Sequence, residues 1–150
     1  MSEIDIINEW LKIAYGDYDC AKFLFDNKIP KPLEIICYHC QQSAEKSLKA
    51  YLCANDMDIP KTHEVKRLCD KCFEIDNSFT VLFDECEELE VYATETRYPV
   101  RIEIDDAHTE RALQQALRIY EFVTKAIDRM NNPAPDDSSF QASTKKPVKS

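Results

Sequence analysis

The sequence predicts an all-α protein, an antiparallel up-and-down helical bundle of four to five helices. Three observations predict it. Apolar residues recur at spacings of three and four along nearly the whole chain. No segment shows the alternation of a half-buried strand. Prolines fall between the periodic segments, where they stop one helix and set the start of the next.

The elements follow in order. Ile7, Leu11, Ala14, Tyr18, Ala21 and Phe25 line one face of a long first helix, which Pro30 and Pro32 end. Leu33, Cys37, Cys40, Ala44, Leu48 and Tyr51 line a second. Past Pro60, Thr62 is placed to cap a short third helix through Val65, Leu68 and Cys72. Asn77 or Ser78 is the expected cap of a fourth, with Phe79, Leu82, Cys86, Leu89 and Ala93 inside. The segment ETRYPVRIEIDD then breaks the period. Asp105 or Asp106 opens a last helix that turns Ala112, Ala116, Ile119, Val123, Ile127 and Met130 inward. The bundle is therefore expected over residues 1–130. Residues 131–150 hold three prolines, four serines and no apolar period, the composition of a disordered tail. Its lysines outnumber its aspartates, so the helical part is more acidic than the whole chain.

Composition narrows the function. A length of 150 residues suits one domain with a tail. The net charge of −9 argues against a surface that grips polyanions generally, although a local basic cluster stays open. Gly16 is the single glycine, which excludes the glycine-rich loops that cradle phosphates. No apolar run approaches the ~20 residues of a membrane span, and the first residues do not read as a signal peptide. Seven cysteines, an odd number without a secretory signal, point to reduced thiols in a cytoplasm and to no disulfides.

Cys37-x-x-Cys40 and Cys69-x-x-Cys72 resemble a four-thiolate zinc site. The pairs are too far apart for the ~15–20 residues between the pairs of a zinc ribbon, and no glycine shapes a knuckle near either. Cys37 and Cys40 also share the register of Leu33, Ala44 and Leu48. They read as packing residues, with no metal and no cofactor.

Three polar constellations remain. On the second helix His39, Gln42, Lys46 and Lys49 recur opposite the apolar stripe, and Gln41 and Glu45 are neighbours one turn apart. They read either as a solvated face with Glu45 paired to Lys49, or as a hydrogen-bonding seam in a groove or across a dimer. In the interrupting segment Pro99 holds Tyr98 extended, and Arg97, Tyr98 and Arg101 gather at a helix junction near His108. Arginine suits phosphate because its planar fork donates two hydrogen bonds, and an imidazole exchanges a proton near neutral pH. Equally, Arg97 has Glu88, Glu90 and Glu95 as candidate ion-pair partners, and His108 reads as a solvated first-turn residue. His63, after Thr62 at a helix start, faces either a ligand and the motif segment or the fourth helix.

Residues 35–52, IICYHCQQSAEKSLKAYL, then Pro60, Thr62-His63-Glu64-Val65 and Thr96-Arg97-Tyr98-Pro99, resemble the HEPN domain family (higher eukaryotes and prokaryotes nucleotide-binding) in three blocks, in order. The resemblance covers roughly residues 4–130. It implies an up-and-down bundle that pairs as a homodimer, and it places Cys37 and Cys40 in a helix of small and apolar residues. Many members are metal-independent endoribonucleases marked by Arg, four to six residues, then His. Others are small partners of a separate minimal nucleotidyltransferase in toxin–antitoxin pairs. This chain fits the ribonuclease spacing once, at Arg101 and His108. Ten residues separate Arg97 from His108, outside that window.

The expectation is thus a cytoplasmic homodimer acting as a nucleotide- or RNA-associated module, with Arg97, Tyr98, Lys46 and His63 as ligand-binding residues and a nucleotidyltransferase-type protein as partner. The alternatives are RNA cleavage with His108 as base and Arg101 as phosphate clamp, or a non-catalytic interaction module.

Overall fold

The computed structural model describes residues 1–93 and 103–133. Five α-helices run α1 Glu3–Asn27, α2 Leu33–Ala54, α3 Val65–Ile75, α4 Phe83–Glu90 and α5 Asp106–Asn131. A 3₁₀ turn, Asn77–Leu82, leads into α4, and a second, Val91–Ala93, leaves it. There is no strand among the described residues. None of the described helices is long and apolar enough to cross a membrane.

The second helix is the axis of the molecule, packed against α1, α3 and α5. The small residues Ala14 and Ala21, fully buried, let α1 lie close, and Ser43 Oγ donates to Ala14 O at 2.7 Å across that contact. On the other side Tyr51, Phe79 and Phe122 stack in series, with ring centroids 4.6 and 4.9 Å apart. Leu48, Leu52, Leu68, Leu82, Leu89 and Ile119 fill the space between them. Each such side chain contributes about 1.5–3 kcal/mol by leaving water.

Helix ends differ from the sequence expectation at three places. Asp76, not Asn77 or Ser78, caps the start of the fourth region by accepting from Ser78 N at 2.9 Å. The turn it opens is 3₁₀ before it becomes α4, so the fourth region is composite. At α3 the Thr62 hydroxyl accepts from Glu64 N at 3.0 Å, a turn that precedes the helix, which starts at Val65. The orphan donor at that start is met from another helix: Lys66 N donates to Glu90 Oε1 at 3.1 Å. At the far end Met130, expected inside, is 42% exposed, because the last turn of α5 runs past the packed body. Asp105 does cap α5. The segment 94–102 and the expected tail from residue 134 lie outside the described residues.

Candidate functional site

A carboxylate sits in the middle of α2 where water does not reach. Glu45 is fully buried because α2 is enclosed on its polar side too, by α1 through Trp10 and by the 61–64 loop. Buried charge is tolerated only when it is paired and hydrogen-bonded. Glu45 Oε2 accepts from Lys49 Nζ at 2.9 Å and Lys46 Nζ at 3.3 Å. Glu45 Oε1 meets His63 Nδ1 at 3.0 Å and Gln41 Nε2 at 3.4 Å. Lys46 Nζ also donates to Gln42 Oε1, and Gln42 Nε2 to Gln41 Oε1, both at 2.8 Å, which closes a ring of four side chains. Lys49 Nζ lies 5.9 Å from the centre of the Trp10 ring.

Burial alone would raise the Glu45 carboxyl, but the donors from Lys49 and His63 and the charges of Lys46 and Lys49 outweigh it and hold it below the usual range. An ionised carboxylate only accepts, so the His63 proton shared with it is on Nδ1. Gln41 Nε2 fastens the same residue a second time by donating to His63 O at 3.0 Å. The His63 side chain is nevertheless 74% exposed. It stands over a cavity of about 490 Å³ lined by Lys61, Thr62, His63, Glu64, Glu90, Val91 and Ala93. Ala93 is the residue from which the segment bearing Arg97, Tyr98 and Arg101 departs.

Of the residues singled out in the sequence, Lys46 and His63 are brought together around Glu45. The seam reading of the polar face therefore holds within one chain, between α2 and the 61–64 loop, and it contains the expected Glu45–Lys49 pair. His39 belongs elsewhere, with Nδ1 at 3.0 Å from Asp17 Oδ1 on α1. Arg97, Tyr98 and Arg101 lie outside the described residues. Two of the acids offered to Arg97 have other partners: Glu90 takes Lys66 N, and Glu88 takes Arg111 at 2.8 and 3.0 Å and Gln115 at 2.9 Å. His108 is part of the α5 cap. Its N–H donates to Asp105 Oδ1 at 2.8 Å, and its ring Nδ1 lies 3.0 Å from the same oxygen.

Sequence reasoning passed over Glu45, Gln41 and Gln42 as site residues. The available signal was the position of Gln41 and Glu45 one residue beside the apolar register of a helix flanked by apolar segments on both sides, where a second face is buried as well.

The paired cysteines, Cys37 with Cys40 and Cys69 with Cys72, are buried packing residues. Cys37 Sγ donates to Thr109 Oγ1 at 3.5 Å, Cys69 Sγ to Phe79 O at 3.7 Å and Cys72 Sγ to Leu48 O at 3.7 Å. Burial pushes the Cys37, Cys40 and Cys72 thiols up, so they stay protonated. Among the described residues no cluster of three or more His, Cys, Asp or Glu is placed to hold a metal ion.

No curated protein matches the chain. The crystal structure of ST0689, an archaeal HEPN homologue, superposes with a TM-score of 0.64 at 21% identity, covering 81% of this chain and 97% of that one. At that identity the likeness concerns the fold. The HEPN domain matches residues 7–127, from the first turns of α1 to the end of the α5 core, and encloses the whole Glu45 cluster. This chain belongs to the HEPN domain family.

Proposed function

We propose that the protein is a nucleotide- or RNA-associated HEPN module of the cytoplasm, the small partner of a nucleotidyltransferase-type protein in a toxin–antitoxin-type pair. The observation that carries the reading is the buried Glu45 cluster. It fixes His63 at a cavity whose rim leads directly into the segment with Arg97, Tyr98 and Arg101. A protein gains little stability from burying a multiply paired carboxylate when apolar residues would do, so the arrangement fits the holding of an exposed group in one orientation. The acidic surface favours a small ligand or a protein partner over indiscriminate RNA binding. The test is a titration of the purified protein with fluorescent mononucleotides and a short RNA, together with co-purification of the partner. Binding lost in Arg97→Ala and His63→Ala supports the proposal. Absence of both ligand signal and partner overturns it.

A second reading draws on one observation at α5. The α5 capping box holds the His108 ring in place, with Asp105 N–H donating to His108 Nδ1 at 3.4 Å and Asp105 Oδ1 3.0 Å from the same nitrogen. In metal-independent cleavage, His108 would take the proton of an RNA 2′-hydroxyl and Arg101 would stabilise the charge developing on phosphate. Incubation with RNA in chelator should then give 2′,3′-cyclic phosphate ends, lost in His108→Ala. Unchanged cleavage in that variant removes the assignment.

A further inference from the structure

A second cavity, of about 460 Å³, lies between the end of α2, the turn that follows it and α3. It shares no lining residue with the cavity under His63. Its floor is apolar: Leu52 is fully buried, and Met57 and Pro60 stand beside it. Its remaining lining carries charge of both signs. Arg67 and Lys71 are one turn apart on α3 and so share a face, while Asp56 and Asp58 come from the turn after α2.

These charges do not satisfy one another. Among the described residues Arg67 and Lys71 form no ion pair, although their neighbour Lys66 closes one with Asp70 at 2.6 Å. Lys71 is half-buried, and drawing a cation out of water without a counter-charge is costly. Asp58 likewise has no cation beside it. Asp56 occupies a position that suits another residue. It stands at φ 58°, just past the end of α2, where its N–H donates to Cys53 O at 3.1 Å and that of Met57 to Leu52 O at 3.0 Å. Helix ends of this form favour glycine, so what aspartate adds is a carboxylate on the rim. That side of the rim holds more negative charge than it offsets. A hydrogen bond to Asp56, and then its charge, push the Glu3 carboxyl above its usual range.

A simple anion would answer Arg67 and Lys71 but be repelled by the aspartates, and a simple cation would meet the reverse. We propose that the cavity binds a zwitterionic small molecule, an α-amino acid with an apolar side chain. Its carboxylate is held by Lys71 and by Arg67, whose planar fork donates two hydrogen bonds. Its ammonium meets Asp58 and Asp56, and its side chain covers Leu52, Met57 and Pro60. The site is independent of the nucleotide reading and uses none of its residues. Most of these charges are exposed, so the dissociation constant is expected on the order of 1 mM.

Titration of the full chain with L-leucine, L-methionine and L-phenylalanine, followed by amide NMR, tests it. At least one should give saturable shifts centred on residues 52–60 and 67–71. Its carboxamide, which lacks the carboxylate, and its deamino acid, which lacks the ammonium, should each bind at least ~10-fold more weakly. Arg67→Ala and Asp58→Asn should each weaken binding about as much at unchanged melting temperature, because both side chains are exposed and unpaired. No saturable shift with any of the three up to ~20 mM overturns the proposal, as do shifts centred elsewhere. An analogue that binds as tightly as the amino acid, or affinity indifferent to both variants, overturns it equally.

Discussion

The His63 ring and the Glu45 carboxylate meet at 3.0 Å, one side chain 74% exposed and the other 1% exposed. The contact ties a surface imidazole to the centre of the central helix, so the position of the ring is set by the core and not by the loop that carries it. Its energetic consequences are asymmetric, and four expectations follow from them and from the thiols.

Replacing Glu45 by alanine should cost about 3–5 kcal/mol, since Lys49 would stay buried with its counter-charge gone. Glu45→Gln, which keeps shape and hydrogen bonding, should cost less. Urea unfolding followed by circular dichroism measures both, and equal losses would show that shape rather than charge matters at this position.

Acid should act through the same residue. The folded-state pKa of Glu45 is depressed, so its contribution is present above the ordinary carboxylate range and lost as pH falls through the folded value. Stability measured by denaturant between pH 7 and pH 3 should therefore fall on acidification, and Glu45→Gln should flatten that fall.

His63→Ala should cost only about 1 kcal/mol, one hydrogen bond to a charged partner whose other donors remain. The effect should be local. Hydrogen exchange at residues 61–64 should accelerate while the middle of α2 stays protected; uniform loss of protection would contradict this account.

Thiol reagents should distinguish the cysteines. Cys20 is exposed and Cys53 half-buried, whereas Cys37, Cys40, Cys69, Cys72 and Cys86 are buried. The native protein should label at Cys20 first and at those five only on unfolding. Chelator should leave the melting temperature unchanged, and a drop would restore the zinc reading of the paired cysteines.

Much of the fold was legible because period and burial coincide. Of the apolar stripe of the second helix, Cys37, Cys40, Ala44, Leu48 and Tyr51 are buried, as their spacing required, and Leu33 at the helix start is half-buried. The capping residues were less legible. Asn77 or Ser78 is the expected cap of the fourth region, but the 3₁₀ turn starts one residue earlier and takes Asp76 instead. The site was half legible. Lys46 and His63 stood out by residue type, but their meeting depends on a loop 18 residues downstream folding back on Glu45, a contact that no helical period encodes.

Glu90 carries a consequence beyond its hydrogen bond. Its carboxylate, at the last turn of α4, supplies the missing partner at the first turn of α3. Neither turn can loosen without exposing an unmet group in the other, so the two should open as one unit. Because Val91–Ala93 follows directly and leads into the arginine segment, tension on that segment would be felt first where α3 begins.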